Sequence, residues 1–303
     1  MFEKTATLFL HCISPVHMGA GTATGVIDNP IQREVHTGHP SFAGSGLKGA
    51  IRHAFLALGG EGERIDALFG PRSGELHAGA ISFGDGQLVA LPVRSRRQGY
   101  VHATSPQALA RLRRLLVSAG HNPEWDVPTL PGVGDGHPVA LGTPDGVAAL
   151  TTDEQALHLE VFEFRLTAEP AVGKIARWLA EHALAPEQGD YFRDKLARDL
   201  VVLDDTDLDH FSRNAMLVEP HVRINEETGA ADVGGLFYTE NLPPETLMAA
   251  PVLASAERSG NSDLDAEAVM GRMRTALHDR TFQIGGDATT GRGLVATRLL
   301  EGE

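Results

Sequence analysis

The chain has 303 residues, 26 of them basic and 40 acidic, a net charge of −14 and one cysteine. That length makes one large or two ordinary domains with a sizeable core, and a lone Cys12 excludes an internal disulfide or a cysteine zinc cluster and points to a reduced, cytoplasmic setting. No apolar run reaches transmembrane length, so no membrane partner is expected, and the acidic balance argues against a free-standing nucleic-acid binder while leaving room for a local basic groove.

Taken in order, residues 7–13 alternate as a strand through Leu8, Phe9, Leu10 and Ile13, and Ser14-Pro15 ends it. His17 lies just beyond. Residues 19–52 then hold two glycine-rich segments around a short polar insert whose one central acid is Asp28, between Ile27 and Asn29-Pro30. Leu47, Ile51, Ala54, Phe55 and Leu58 recur at helical spacing and predict a helix over 46–58. The run Gly44-Ser45-Gly46-Leu47-Lys48-Gly49 opens it. Unpaired N–H groups at a helix N-terminus make a seat for phosphate, and Lys48 and Arg52, four apart, share one face. Lysine is otherwise found only at 4, 174 and 195, so its presence in a glycine turn is selective. Gly49 after Lys48 excludes a Walker A loop. The competing reading is a capping glycine turn with a solvated lysine.

Residues 65–69 form a helical turn broken by Gly70-Pro71. Residues 79–83 and 88–93 read as a strand pair. The most basic segment follows, Arg94-Ser95-Arg96-Arg97 with Tyr100 beside it, a composition suited to phosphate contact with base stacking. Thr104 or Ser105 caps the next helix, Pro106 begins it, and Gly120 stops it. Residues 121–146 read as a long loop, 157–166 as a strand and 171–185 as an amphipathic helix. A different region opens at 201. Two apolar runs, 216–224 and 235–238, flank a turn over 225–229 and predict a hairpin. Acidic runs at 204–209, 226–227 and 263–267 read as solvated surface or helix N-termini. The last helix spans 263–278. Strands at 281–284 and 294–300 enclose a glycine-rich loop, 285–293. Strands and helices alternate without a doubly wound βα repeat, so an α+β fold with an antiparallel sheet is expected.

The segments GVIDNPIQRE (25–34), TGHP (37–40) and GSGLKGAIR (44–52) resemble the N-terminal signature of the RAMP superfamily, the RNA-binding proteins of CRISPR systems. Within it they are similar to the backbone subunit of type III effector complexes. Phe42-Ala43 and Gly46 depart from that pattern, where Ile-Pro and Ser are usual. PVRS (92–95) with TSP (104–106), a hairpin ending in LFYTENLP (236–243), and the loop 285–293 extend the resemblance over nearly the whole chain; the hairpin resembles the type III-B (Cmr) form rather than III-A.

The resemblance implies an RRM-like (ferredoxin-like) core with insertions: a core over 1–200, a β-hairpin thumb over 201–245, and a C-terminal part of the core over 246–303. A sheet of that kind offers a face to single-stranded RNA. The implied RNA-binding residues are Gly44, Ser45, Gly46, Lys48, Arg52, Arg94, Ser95, Arg96, Arg223, Gly285, Gly286, Gly291, Arg292 and Gly293. Copies of the chain, with other subunits, would line up along one CRISPR RNA and cut complementary target RNA at regular intervals. The residue implied for cutting is Asp28, which would bind a divalent metal, Mg²⁺ or Mn²⁺, or take a proton from the RNA 2′-hydroxyl as that group attacks its own phosphate. His17, Tyr238 and Glu240 are secondary candidates. The alternatives are a non-catalytic guide-RNA scaffold, a metal-independent CRISPR RNA processing nuclease, and a type III-A backbone subunit.

Overall fold

The first apolar run sets the architecture. In β1 (Lys4–Cys12) every residue from Thr5 onward is at least half-buried. Leu8 and Leu10 turn to one face and Phe9 to the other, as the period-2 alternation of a strand requires. Both faces of such a strand need cover, and the rest of the chain supplies it. The computed structural model describes residues 2–74, 77–131, 138–152, 156–260 and 264–302.

After β1 come β2 (Ser41–Phe42), α1 (Gly44–Ala54), α2 (Ile65–Phe69), β3 (Ile81–Phe83), β4 (Gly86–Arg94), β5 (Tyr100–Thr104) and α3 (Pro106–Ser118). The middle of the chain carries β6 (Val139–Gly142), α4 (Val147–Leu150), β7 (Ala156–Leu159), β8 (Phe162–Ala168), α5 (Pro170–His182), α6 (Asp190–Asp199), β9 (Leu200–Val202) and α7 (Asp205–Asn214). The last part holds β10 (Leu217–Ile224), β11 (Ala231–Asn241), β12 (Leu247–Ala254), α8 (Ala266–Leu277), β13 (Arg280–Gln283) and β14 (Leu294–Glu301).

One sheet runs β13-β14-β1-β12-β4-β5-β9-β6-β8-β7, with β2 added at β4 and β3 at β12; β10 and β11 form a separate two-stranded sheet among the described residues. Pairing is antiparallel except for β5 with β9 and β6 with β8. Strand β4 joins two halves: Gln87–Ala90 pair with β12, and Leu91–Arg94 with β5. Phe9, Val89 and Ala249 pack with Leu109, Leu112 and Leu116 of α3 and with Ile175 and Leu179 of α5. Leu8, Leu10 and Met248 belong to the opposite core with Leu47 and Ile51 of α1, Phe211 of α7, and Met270 and Met273 of α8. The expected α+β class, with a mostly antiparallel sheet, holds.

Side-chain caps start several helices. Ser105 accepts from the Ala108 N–H, Asp204 from Thr206 and Asp265 from Ala268. The acidic run at 204–209 is thus the capped start of α7, with Asp205 and Asp207 in its first turn. No helix of the described residues is long and apolar enough to cross a membrane.

Several expectations are corrected. The sheet does not offer a face to RNA at its central strands, because α3 and α5 cover one side of β1 and β12 while α1 and α8 cover the other. Strands β3 and β4 do not pair with each other; they run on along the same edge of β12, interrupted only at Gly84-Asp85. The run 157–166 is two strands, broken where Glu160 adopts a φ of 50° and Val161 turns outward. Within 121–146, the four apolar-to-small residues Val139–Gly142 form β6, held by β8 and β9. The region opening at 201 starts inside the sheet, since β9 pairs with β5 and β6; the free hairpin is Leu217–Asn241. Residues 132–137 of the expected loop and Asp263 of the expected last helix lie outside the described residues.

Candidate functional site

The base of the hairpin gathers most of the residues singled out in the sequence. Gly19 pairs with Ile31, closing a loop over 20–30, exposed at 20–26, that carries Asp28. The far edge of β11 receives this loop. Asp28 and Asn29 N–H groups both donate to the Tyr238 carbonyl, at 3.2 and 3.0 Å, and the Glu240 N–H donates to the Asn29 carbonyl at 3.0 Å. The Asp28 carboxylate accepts from the Tyr238 N–H through Oδ2 at 2.7 Å. It is half-buried, and its other oxygen has no hydrogen-bond partner among the described residues.

His17 reaches the same edge two residues on. Its Nδ1 donates to the Glu240 carbonyl at 2.7 Å, which leaves Nε2 as the acceptor of the neutral ring. Tyr238 and Glu240 are i and i+2 on one strand, so the two anchor points lie about 7 Å apart along it. Asp28 and His17, 11 positions apart in sequence, are therefore set side by side by a strand more than 200 residues away.

The two glycine-rich loops meet at the same place. A Cβ on Gly46 would lie 2.8 Å from Met18 Cε. One on Gly285, whose φ is +73°, would lie 2.4 Å from the His17 carbonyl and 3.2 Å from Met18 Sδ. Glycine at these positions lets both loops close on His17-Met18. Gly286 donates its N–H to the His17 carbonyl at 2.9 Å. Gly291 has open space at its Cα, and residues 285–291 are exposed. Gly293 instead abuts the Ile284 carbonyl, so its lack of a side chain serves the strand pair β13–β14.

The cations divide into free and engaged ones. Lys48 is half-buried with no hydrogen-bond or ion-pair partner among the described residues, and burial, aided by Arg52, holds its ammonium below the usual lysine range. Arg52 is engaged: it donates to the Gly70 carbonyl and to Asp66 at 2.7 Å, tying α1 to α2. Arg292 is held by both carboxylate oxygens of Glu219 at 2.6 Å, linking the C-terminal loop to β10. Gly44 donates its N–H to Asp85 at 2.7 Å, so an internal carboxylate already occupies the first position of the α1 N-terminus; Ser45 stays exposed. Arg223 is exposed near the hairpin tip, and Phe237 stacks on His221 across the strands at 5.3 Å.

The segment 94–97 is set apart, with contacts to the β7–β8 hairpin and α6. Arg94 pairs with Glu160 at 3.2 Å but is largely exposed, as are Arg96 and Arg97; Ser95 is buried. Tyr100 does not stand ready for base stacking. Lys195 lies 4.1 Å over its ring, His102 meets it edge-on, and burial pushes its hydroxyl well above the usual range. Lys195 itself is buried, donating to the Gln98 and Tyr100 carbonyls at 3.1 and 3.0 Å and to Asp199 at 2.9 Å. This clamp on the basic turn carried no sequence signal beyond a rare lysine four residues before an aspartate.

Sequence reasoning also passed over Arg33 and Glu34. Arg33 pairs with Glu240 at 2.5 Å. Glu34 is gripped by both terminal nitrogens of Arg111 and by the Thr37 hydroxyl. Burial would raise the Glu34 carboxyl, but those hydrogen bonds outweigh it and hold the group below the usual range. The second half of the 25–34 segment thus fastens the Asp28 loop to β11 and α3.

Among the described residues no group of three or more His, Cys, Asp or Glu side chains is arranged to hold a metal ion. Asp28 offers one carboxylate oxygen, which fits an ion whose remaining ligands are water and substrate phosphate and does not fit a protein cage.

Comparison with known proteins follows the same outline. The sequence profile of the RAMP superfamily matches residues 9–296. The chain is 32% identical over 305 residues to the CRISPR system Cmr endoribonuclease Cmr4 of Pyrococcus furiosus, covering 98% of this chain and 96% of that protein. The crystal structure of oligomeric Cmr4 from Pyrococcus furiosus superposes with a TM-score of 0.73 at 25% identity over 99% of each chain. A chain of the type III-B Cmr-beta complex bound to cognate target RNA superposes with a TM-score of 0.71 over 98% of each chain, a likeness of fold alone at 19% identity.

Proposed function

The chain belongs to the RAMP superfamily, and we propose that it is the backbone subunit of a type III-B RNA-guided effector complex, an endoribonuclease that cuts complementary target RNA at regular intervals. Its partners are the CRISPR RNA, the target RNA, further copies of itself and the other subunits of the complex. We place it in the cytoplasm, in keeping with its single buried, reduced cysteine. The observation that carries the reading is the junction at the hairpin base, where Asp28 and His17 are anchored on one edge of β11 beside both glycine loops.

The chemistry asks little of the protein. An RNA 2′-hydroxyl attacks its adjacent phosphate in line once the backbone is held in that geometry; the bond to the 5′-oxygen breaks, leaving a 2′,3′-cyclic phosphate and a 5′-hydroxyl that takes up a proton. Asp28 is placed to accept the hydroxyl proton through its free oxygen, and His17 Nε2 offers a second proton site. A divalent ion, Mg²⁺ or Mn²⁺, held by Asp28 would supply charge neutralisation at the phosphate. Lys48 and the exposed loop over 285–291 offer seats for the guide backbone. Tyr238 contributes its main chain to the site, and Glu240 is enclosed.

Asp28→Asn is the test, because asparagine keeps an acceptor for the Tyr238 N–H while losing the charge. In complexes assembled on guide RNA, with matched target and Mg²⁺, target binding stays at the wild-type level. Cleavage falls by roughly 10² or more at every regular site. EDTA abolishes cleavage by the wild type. Cleavage by Asp28→Asn at the wild-type rate would leave a non-catalytic reading of this loop; loss of target binding would make Asp28 structural; EDTA-resistant cleavage would remove the metal.

A further inference from the structure

Glu240 has the look of an acid–base residue in the sequence and the surroundings of something else in the structure. It is only 3% exposed. Its Oε2 accepts from the Ile31 N–H at 3.0 Å and its Oε1 from Arg33 at 2.5 Å. The other terminal nitrogen of Arg33 donates to the carbonyls of Gly38 and Ser212, both at 2.8 Å, so the guanidinium ties the Asp28 segment that carries it to the turn at Gly38, the hairpin base and α7. The main chain of Glu240 is committed as well, to Asn29 through its N–H and to His17 through its carbonyl. A carboxylate enclosed in this way does not meet substrate, yet it touches each segment that carries a reacting side chain.

We infer that Arg33 and Glu240 are positioning residues for RNA cleavage, an inference that rests on the cleavage reading above. Their ion pair locks residues 28–31 in register on β11, and that register sets where the Asp28 carboxylate lies relative to His17. The loop over 20–26 is exposed and gives Asp28 little support from its N-terminal side. The tie at Ile31 and Arg33 adds side-chain anchors to the main-chain bonds of Asp28 and Asn29 with β11, and a displacement of about 1 Å in a reacting group costs roughly 10²-fold in rate.

The experiment uses complexes assembled on guide RNA with Glu240→Gln, Arg33→Met and the double variant. Glutamine keeps the shape and one acceptor but loses the charge. Each single variant binds target as the wild type does and cuts at least about 10-fold more slowly at all sites together. The double variant is no slower than the slower single, as expected of two halves of one contact. The pH–rate profile keeps its wild-type shape throughout, because neither group moves a proton. Arg33→Lys, which keeps the charge but cannot reach all three acceptors, recovers part of the rate and serves if Arg33→Met fails to assemble. Wild-type cleavage by Arg33→Met overturns the inference. So does a lost limb of the pH profile in Glu240→Gln alone, which would make Glu240 an acid–base group. Asp28→Asn in the same assay separates the two levels: if it cuts normally the cleavage reading fails, and if it is inactive while both latch variants cut normally only the latch fails.

Discussion

Lys48 and Arg52 show how far a single residue can be read without its neighbours. Four apart on α1, they form an apparent pair of phosphate ligands, but Asp66 and the Gly70 carbonyl claim Arg52 from a separate helix. Helical spacing carries no information about a partner beyond the next turn, so only the free one of the two remains a phosphate candidate. The same holds for Tyr100, whose aromatic character was legible and whose burial under Lys195 was not. Lys48 is the opposite case. It is a half-buried ammonium without a carboxylate, beside the exposed Ser45 and the Gly46–Met18 contact. Burial holds its pKa down, and a phosphate arriving there would restore the charge it disfavours. On the proposed reading Lys48→Ala weakens RNA binding for all sequences alike and reduces the salt dependence of log Kd by about one unit. A salt titration with an unchanged slope would remove Lys48 from the RNA surface.

At the scale of elements, helices and strands with their own caps and alternation were legible. The helical turn Ile65–Phe69 lies where the sequence places it, and α3 begins at the expected Ser105 cap and Pro106. Elements that depend on a distant partner were not. Strand β6 has no alternation of its own and exists because β8 and β9 flank it. The hairpin was legible because Asn225 and Gly229 mark a turn between two apolar runs; the Asn225 side chain accepts from the Glu227 and Thr228 N–H groups, and Gly229 has a φ of 66°. Among the described residues its tip is not part of the main sheet, since β10 and β11 form a sheet of their own, and Val222, Ile224, Val233 and Leu236 are exposed on it. Those side chains have no core to join within this chain, and in the proposed assembly they face a neighbouring copy and its RNA. Replacing residues 222–236 by a short Gly-Ser linker leaves Phe237–Asn241 to support Asp28 and His17, so the chain stays folded. Sedimentation should then show shortened or absent oligomers on guide RNA, and the ladder of cut sites should lose its regular spacing. Unaltered assembly together with unaltered cut positions would detach the hairpin from both roles.

For the whole molecule, the meeting of two glycine loops at Met18 could not be deduced from spacing, because the two lie at opposite ends of the chain and only the order of strands around β1 brings them together. The same packing buries titratable groups that a sequence leaves at their ordinary values, and this makes a prediction about acid stability. Burial, with His11 and Lys195 nearby, pushes His102 from 6.5 down to about 3, and burial likewise depresses His39. The unfolded chain takes up protons on these rings as the pH drops below about 6.5, whereas the folded chain refuses them, so stability falls with falling pH across that window. Asp199 acts in the same sense at lower pH. Burial alone would raise its carboxyl, but Arg198 and Lys195 outweigh this and hold it below the ordinary range, so the stability it contributes above that range is lost on acidification. For His102 the slope reaches about 1.4 kcal/mol per pH unit once the unfolded ring is protonated and the folded one is not. His102→Phe keeps a ring against Tyr100 and removes one of these titrations. Urea unfolding of the isolated chain at a series of pH values from 7 to 4.5 should therefore show the variant losing stability more gently than the wild type, by about 1 kcal/mol per pH unit. Parallel curves for the two proteins would mean that His102 is protonated in the folded state or that the polar groups around it rearrange to admit the charge.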